Sequence, residues 1–135
     1  MKKQTFIFLF LGFLAKKLVS LFSPIGIFYA VIRISTSKKY TWNDLRQYFE
    51  NIAVSYDQLG NVEQAFFYND IMIKKGSSDL FGFPDETLSS VFGKNNETGY
   101  LTKFGYFWKV FLNKVDDNHV QKSIESEEGS AIKKK

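Results

Sequence analysis

The sequence is poor in the residues that build cross-links and metal sites. It contains no cysteine, two prolines and a single histidine, His119, among 135 residues. Without cysteine the chain has neither a disulfide framework nor a thiolate nucleophile. Its cysteine usage therefore favours neither an oxidising nor a reducing compartment. One histidine is too few for a zinc site of the ordinary kind. We therefore expect no metal and no cofactor.

Two further absences bear on fold and location. No stretch alternates apolar and polar residues for long enough to indicate a β-sheet, so we expect an all-α fold. Residues 1–39 contain no acidic side chain but seven basic ones, among mostly apolar neighbours. The remaining 96 residues hold eleven basic and fourteen acidic groups, which gives an arm of +7 and a body of −3. A cationic apolar arm is typical of a segment that contacts a membrane.

The weakly acidic body argues against a nucleic-acid partner, since binding to phosphate depends on a basic surface.

For the arm, three membrane-related interpretations stay open. Lys16 and Lys17 divide it, and the apolar residues 18–34 that follow would span about 25 Å as a helix, just enough to cross a bilayer. A helix lying in the interface, with both lysines reaching the headgroups, is the second interpretation. The third is a signal peptide with its apolar region at residues 6–15, although bulky Phe13 stands where a cleavage site prefers a small residue.

A helix buried in a soluble core is a fourth alternative, and we favour the single span, kinked at Pro24 and Gly26. The side chains expected to contact the membrane are Lys16, Lys17, Leu18, Phe22, Ile25, Phe28 and Arg33. Basic residues flank the span on both sides, so the distribution of positive charge fixes no firm orientation. The cluster at Arg33, Lys38 and Lys39 favours a cytoplasmic body.

Residues 40–124 have the patterning of a small bundle of about four helices. Apolar residues recur at helical spacing from Thr41 to Gly60, and Thr41 with Asp44 forms a capping pattern. A second helix is predicted from Asn61 to Gly76, and a short third helix from an Asp85 cap to Gly93. Residues 125–135 are polar and charged, and we expect a frayed tail there.

The strongest helical pattern lies at residues 100–115 and is interrupted by the polar residues 116–118. One apolar stripe is expected to pack in the core; its residues are Leu101, Phe104, Trp108, Phe111, Leu112 and Val115. Tyr106, Phe107 and Val110 extend the apolar surface to other faces, which requires a central core position or a second partner. These three residues are therefore candidates for binding a protein partner or a second copy of the chain.

Two polar clusters could carry chemistry. Asp85 and Glu86 lie at a predicted helix start beside three hydroxyl groups, and Asp116 and His119 are spaced for an acid–base pair. If folding brought the two clusters together, these four residues could serve a metal-dependent hydrolase. Helix capping explains the same residues more simply, so the enzymatic interpretation is an alternative and not our first choice.

Three segments carry a resemblance to known proteins: DQLGN at 57–61, PDETLSS at 84–90 and VDDNHVQKSIE at 115–125. Together they resemble a group of small uncharacterised proteins of tailed bacteriophages and prophages, over roughly residues 45–128. The chain departs from the group in a longer segment between Asn61 and Pro84, and in Val120, where many members have cysteine. The resemblance implies a phage source and no established activity.

Our leading hypothesis is a non-enzymatic phage accessory protein at the membrane of a bacterial host cell. It would contact membrane lipids through its arm and a protein partner through its helical body, with lysis or envelope remodelling as one version of the role. A virion component that packs its apolar arm within an assembly is an alternative. The metal-dependent hydrolase is the other.

Overall fold

In the computed structural model, residues 2–125 are described, and they form six helices and no strand. The helices are α1 (Lys2–Thr36), α2 (Trp42–Glu63), α3 (Ala65–Ile71), α4 (Leu88–Glu97), α5 (Lys103–Val115) and α6 (His119–Lys122). The expected all-α fold is confirmed. α1 is followed by the four helices α2 to α5, each longer than one turn, and by the one-turn α6. The chain divides into two compact units, Met1–Phe49 and Glu50–Lys135, with the boundary inside α2. The frayed tail expected at 125–135 lies almost wholly outside the described residues.

The first unit consists of α1 and the start of α2. α1 is one uninterrupted helix of 35 residues, none of them buried, and it is about 52 Å long. Pro24 lies inside it without ending it. The helix runs through Lys16 and Lys17, so the apolar residues on both sides of these lysines belong to one helix. α1 is long and apolar enough to cross a membrane.

The start of α2 follows the predicted capping pattern. The Thr41 backbone N–H donates to Asp44 Oδ2 at 2.6 Å, and the Asp44 N–H donates back to Thr41 Oγ1 at 3.4 Å. The hydrogen bonds from Thr41 lower the pKa of Asp44. The predicted end at Gly60 is wrong, because α2 continues to Glu63. Gly60 lies within the helix there, and Asn61 becomes a buried helix residue instead of a cap.

The core of the second unit lies between α3, α4, α6 and the segments that join them. Its buried residues are Met72, Ile73, Phe81, Val91, Phe92, Leu101 and Val120. The rings of Phe81 and Phe92 meet edge to face at 5.2 Å, and Tyr68 packs on both. Burial raises the pKa of Tyr68. A short antiparallel bridge joins Ile73 to Leu101.

The long segment between α3 and α4 is held by asparagine side chains. Asn61 donates to the carbonyl groups of Phe83 and Glu86 at 3.0 and 2.8 Å and accepts from the Gly82 N–H at 2.9 Å. Asn69 makes a matching pair of bonds with the backbone of Phe81. These bonds satisfy the polar backbone of a segment that has no regular structure, as a buried loop requires.

α4 begins later than predicted. Its N-cap is Thr87, whose hydroxyl accepts from the Ser90 N–H, and Asp85 lies outside the helix. Gly93 does not end α4, which continues to Glu97. A Cβ atom at Gly93 would lie 2.6 Å from the Val120 carbonyl oxygen, so the glycine permits close packing of α4 against α6.

The prediction that one apolar stripe of α5 packs in the core is largely wrong. Gly105 is the buried residue of α5, whereas the apolar side chains expected in the core are largely exposed, Val115 to 75%. Of the predicted stripe residues that lie within α5, only Leu112 packs against the core cluster. Leu101 is buried, but it precedes the helix. Most of the aromatic surface of α5 therefore faces away from the core.

Candidate functional site

A cavity of about 640 Å³ opens on the second unit. It lies between α2, the start of α4, the end of α5 and the segment that contains α6. Its lining residues are Glu50, Ala53, Val54, Asp57, Thr87, Ser89, Leu112, Asp116, His119, Lys122, Ser123 and Glu125. Parts of the segments 57–61, 84–90 and 115–125 meet here, although their lining residues are separated by up to 68 residues in the sequence, from Asp57 to Glu125.

A chain of hydrogen bonds links three side chains of this cavity. Ser89 Oγ lies 3.1 Å from His119 Nε2. On the other side of the imidazole ring, His119 Nδ1 lies 3.2 Å from Asp116 Oδ2. The three groups follow one another in the order hydroxyl, imidazole and carboxylate. In this arrangement the imidazole can accept a proton from the hydroxyl, and the carboxylate orients the imidazole ring.

The backbone places each member of this chain. Thr87 caps α4, which puts Ser89 in the first helical turn. After α5 ends, Asn118 adopts a left-handed conformation with φ of 57° and turns the chain into α6. Fully buried Val120 anchors α6, and its N–H donates to Asn113 Oδ1 at 3.0 Å. His119 is thereby held above the start of α4.

The charges around the cavity are mostly negative. Asp116 has a lowered pKa because it bonds to His119 and, secondarily, because it lies near the positive charge of Lys122. Lys122 Nζ is 3.6 Å from Asp116 Oδ1. Glu50, Asp57 and Glu125 add three more carboxyl groups to the walls. An anionic ligand would meet repulsion here, whereas an uncharged or cationic one would not.

Two of these carboxylates have structural partners at the start of α4. Asp57 Oδ2 accepts from the Ser89 N–H at 3.3 Å. Glu125 accepts from both the N–H and the hydroxyl of Thr87, at 3.2 and 3.3 Å. They occupy N–H groups at the positive end of the helix, where carboxylates are stabilising. These bonds connect α2, and the third residue after α6, to the helix that carries Ser89.

The structure separates the four residues named as catalytic candidates. Asp116 and His119 are paired in the cavity. Glu86 is buried elsewhere, where it accepts from Ser90 Oγ at 2.8 Å and forms an ion pair with Lys94. Asp85 is exposed, and its backbone carbonyl accepts from the Gln58 side chain. Neither Asp85 nor Glu86 lines the cavity.

Sequence reasoning missed Ser89 as a member of the site. It lies thirty residues from His119, and a serine in a helical first turn has an ordinary local explanation. No local spacing links the two residues, because the Ser89–His119 bond forms only when folding brings α4 and α6 together. Among residues 2–125, no group of three or more His, Asp or Glu side chains is arranged to hold a metal ion.

The remaining predicted residues have these positions. Phe22, Ile25 and Phe28 are exposed on α1, as are Lys16, Lys17, Leu18 and Arg33. Tyr106 and Phe107 are exposed on α5, and Val110 is half-buried. No protein-family model, curated protein or solved structure matches this chain.

Proposed function

We propose that the protein is a phage accessory protein, held at the host cell membrane by α1, whose helical body binds a protein partner. The observation that carries the proposal is the exposure of the apolar side chains of α1. Sixteen of its large apolar side chains are exposed and none of its residues is buried. Eight of these side chains lie within residues 18–34, and their transfer from water into lipid is favourable by about 12–24 kcal/mol, at about 1.5–3 kcal/mol each. Lys16 and Lys17 oppose this gain by far less, because they can extend toward the headgroups.

Residues 18–34 form the proposed span. Lys16 and Lys17 then lie at one interface, and Arg33, Lys38 and Lys39 lie at the other. Basic residues favour the cytoplasmic side of a membrane. The cluster of Arg33, Lys38 and Lys39, which lies next to the body in the sequence, therefore supports a cytoplasmic location for the body. The span is about 25 Å long, close to the roughly 30 Å thickness of the hydrocarbon core, and α1 continues beyond it at both ends.

The partner is proposed to bind the aromatic surface of α5. This surface consists of Phe104, Tyr106, Phe107, Trp108, Phe111 and Val115. Trp108 packs edge to face with three neighbouring rings, at centroid distances of 5.6 to 6.5 Å, so the surface is preformed. α5 carries three lysines and no acidic residue. An apolar protein surface with an acidic rim would complement it.

The phage source is supported by the resemblance of the three segments, and a role in lysis or envelope remodelling by the apolar, basic arm. A short chain with a lipid-directed arm and a small body suits such a role.

Membrane fractionation tests the tether. The full chain should sediment with membranes and resist extraction with sodium carbonate, and a chain lacking residues 1–39 should be released. The paired change Ile25→Asp and Phe28→Asp should release the full-length chain too, because two carboxylates would have to enter hydrocarbon. The control, Ser35→Asp with Ser37→Asp, adds the same charge at the end of the span and should stay bound. A full chain found in the soluble fraction contradicts the proposal.

A photo-crosslinking residue placed at position 107 tests the partner surface. It should yield protein adducts in host membranes that the same group at position 40 does not yield. Lys109→Glu should weaken the adducts by reversing charge beside the surface. Adducts to lipid alone at position 107 would contradict a protein partner there.

A further inference from the structure

We propose that Ser89 is the nucleophile of an acyl-transfer centre, with His119 as its general base and Asp116 as the residue that positions the imidazole ring. The substrate class is an uncharged carboxylic ester. This activity goes beyond the proposed role in membrane tethering and partner binding. It rests on three hydrogen-bonded side chains and on the cavity into which they open.

The order of the hydrogen bonds fixes the direction of proton transfer. A carboxylate only accepts hydrogen bonds, so the bond to Asp116 Oδ2 places a proton on His119 Nδ1. In the neutral imidazole this leaves Nε2 with its lone pair facing the Ser89 hydroxyl at 3.1 Å. His119 is thus held in the tautomer that can accept the hydroxyl proton.

Helix capping does not account for these side chains. The cap of α4 is Thr87, whose hydroxyl already accepts from the Ser90 N–H. α6 follows Asn118, which makes no side-chain capping bond, and His119 is directed at Ser89 on another helix. The Ser89–His119 bond therefore joins two elements thirty residues apart at the wall of a cavity, as a reactive pair would be arranged.

The lining of the cavity selects the substrate class. Ala53, Val54 and Leu112 supply an apolar wall near the three residues. The surrounding carboxylates disfavour phosphate esters and free carboxylates as ligands. An ester with a small apolar acyl group and no negative charge fits both features.

The proposed reaction has two steps. Ser89 Oγ forms a bond to the carbonyl carbon of the ester, and its proton moves to His119 Nε2. The bond from that carbon to the alcohol oxygen breaks, and His119 returns the proton to the departing alcohol. Water, deprotonated by His119, then attacks the acyl-serine, and release of the carboxylic acid restores the Ser89 hydroxyl.

An uncharged alkyl fluorophosphonate tests the nucleophile in the full-length protein in detergent. Mass spectrometry should find one adduct, on Ser89, with release of fluoride. The adduct should be absent in Ser89→Ala and slowed at least about tenfold in His119→Gln, which keeps a polar side chain but no base. Ser55→Ala removes an exposed serine on α2 and should be labelled like the parent. Absence of an adduct on Ser89, or equal labelling of the His119→Gln variant, overturns the proposal.

A second measurement does not depend on the parent hydroxyl. Because the chain lacks cysteine, the thiol introduced by Ser89→Cys can be alkylated alone. It should react with iodoacetamide at neutral pH at least about tenfold faster than the thiol introduced by Ser55→Cys, since His119 can take its proton. Equal rates, or a rate unchanged by His119→Gln, would overturn the proposal.

The positioning role of Asp116 has its own spectroscopic readout. The chain has one histidine, so its imidazole nitrogen resonances are free of overlap. The neutral ring should carry its proton on Nδ1 in the parent and shift toward the Nε2 tautomer in Asp116→Asn, with slower labelling of Ser89. An unchanged tautomer with unchanged labelling would remove Asp116 from the centre.

Discussion

Replacement of Gly105 by alanine should destabilise the body, although alanine is the better helix former. A Cβ atom at this position would clash with the Met72 carbonyl oxygen and lie 3.1 Å from the Met72 carbonyl carbon. The same Met72 oxygen accepts hydrogen bonds from the Thr102 N–H and hydroxyl, at 2.9 and 3.1 Å, and Thr102 caps α5. Relief of the clash therefore moves α5 away from the backbone that holds its first turn.

The opposing terms can be compared. Overpacking costs about 1–3 kcal/mol, and each weakened hydrogen bond costs about 1 kcal/mol. The gain in helix propensity from glycine to alanine is only about 1 kcal/mol. The net change expected for Gly105→Ala is a loss of about 2–4 kcal/mol in the free energy of unfolding.

Gly60→Ala is the matched control. Gly60 also lies within a helix, but a Cβ atom there would make an ordinary contact of 3.8 Å with Leu88 Cδ1. This variant should gain about 0.5–1 kcal/mol. Urea unfolding of the full chain in mild detergent, followed by tryptophan fluorescence, measures both changes. If Gly105→Ala is as stable as Gly60→Ala, the close approach of α5 to Met72 does not hold the body together.

Three further predictions concern buried polar groups and the cavity. Asn61→Ala should lower the free energy of unfolding by roughly 2–4 kcal/mol, because three backbone groups each lose a hydrogen bond. A loss under about 0.5 kcal/mol in the same urea assay would refute this. Lys94→Met leaves the buried Glu86 carboxylate without its ion-pair partner and should cost about 3–5 kcal/mol, measured in the same way. The folded-state pKa of Asp116 lies below its ordinary value of 3.8, so its bond to His119 stabilises the fold above that pH and is lost as the pH falls through the lower value. Carboxyl NMR should give a midpoint below 3.8 for Asp116 that rises in His119→Gln, and an unchanged midpoint would refute the pairing.

Local patterns in the sequence were sufficient for several features of the fold. The all-α class, the apolar first helix, the Thr41–Asp44 cap and the break after Val115 follow from charge, capping residues and helical spacing. Each of these depends on residues within about one helical turn of one another.

Features that depend on distant contacts could not be predicted in this way. Gly60 resembles a helix end, but α2 continues past it because Asn61 finds buried backbone partners more than twenty residues away. Gly93 likewise resembles a helix end, yet it is the contact point between α4 and α6. Spacing alone indicates that a helix has apolar positions, not which of them meets the core, and Trp108 and Phe111 were accordingly placed wrongly.

In the candidate site, too, local features were predictable from the sequence and features that depend on distant contacts were not. The Asp116–His119 pair is local and was recognised from its spacing. Its third member, Ser89, is brought in by folding, whereas Glu86, adjacent to the same predicted helix start, turns to Lys94 in a different part of the body. Glu86 precedes the Thr87 cap and Ser89 lies in the first turn of α4, so the position at which the helix begins decides which polar group reaches the cavity.

Labelling of introduced cysteines in intact host spheroplasts tests most directly whether α1 crosses the membrane. The natural absence of cysteine makes each substitution the sole thiol in the chain. A membrane-impermeant maleimide should fail to label Phe22→Cys or Ile25→Cys even after lysis, and should label Ser37→Cys only once the cells are opened. If the thiols at positions 22 and 25 react as readily as the one at position 37 in opened cells, α1 lies in water and the membrane tether is refuted.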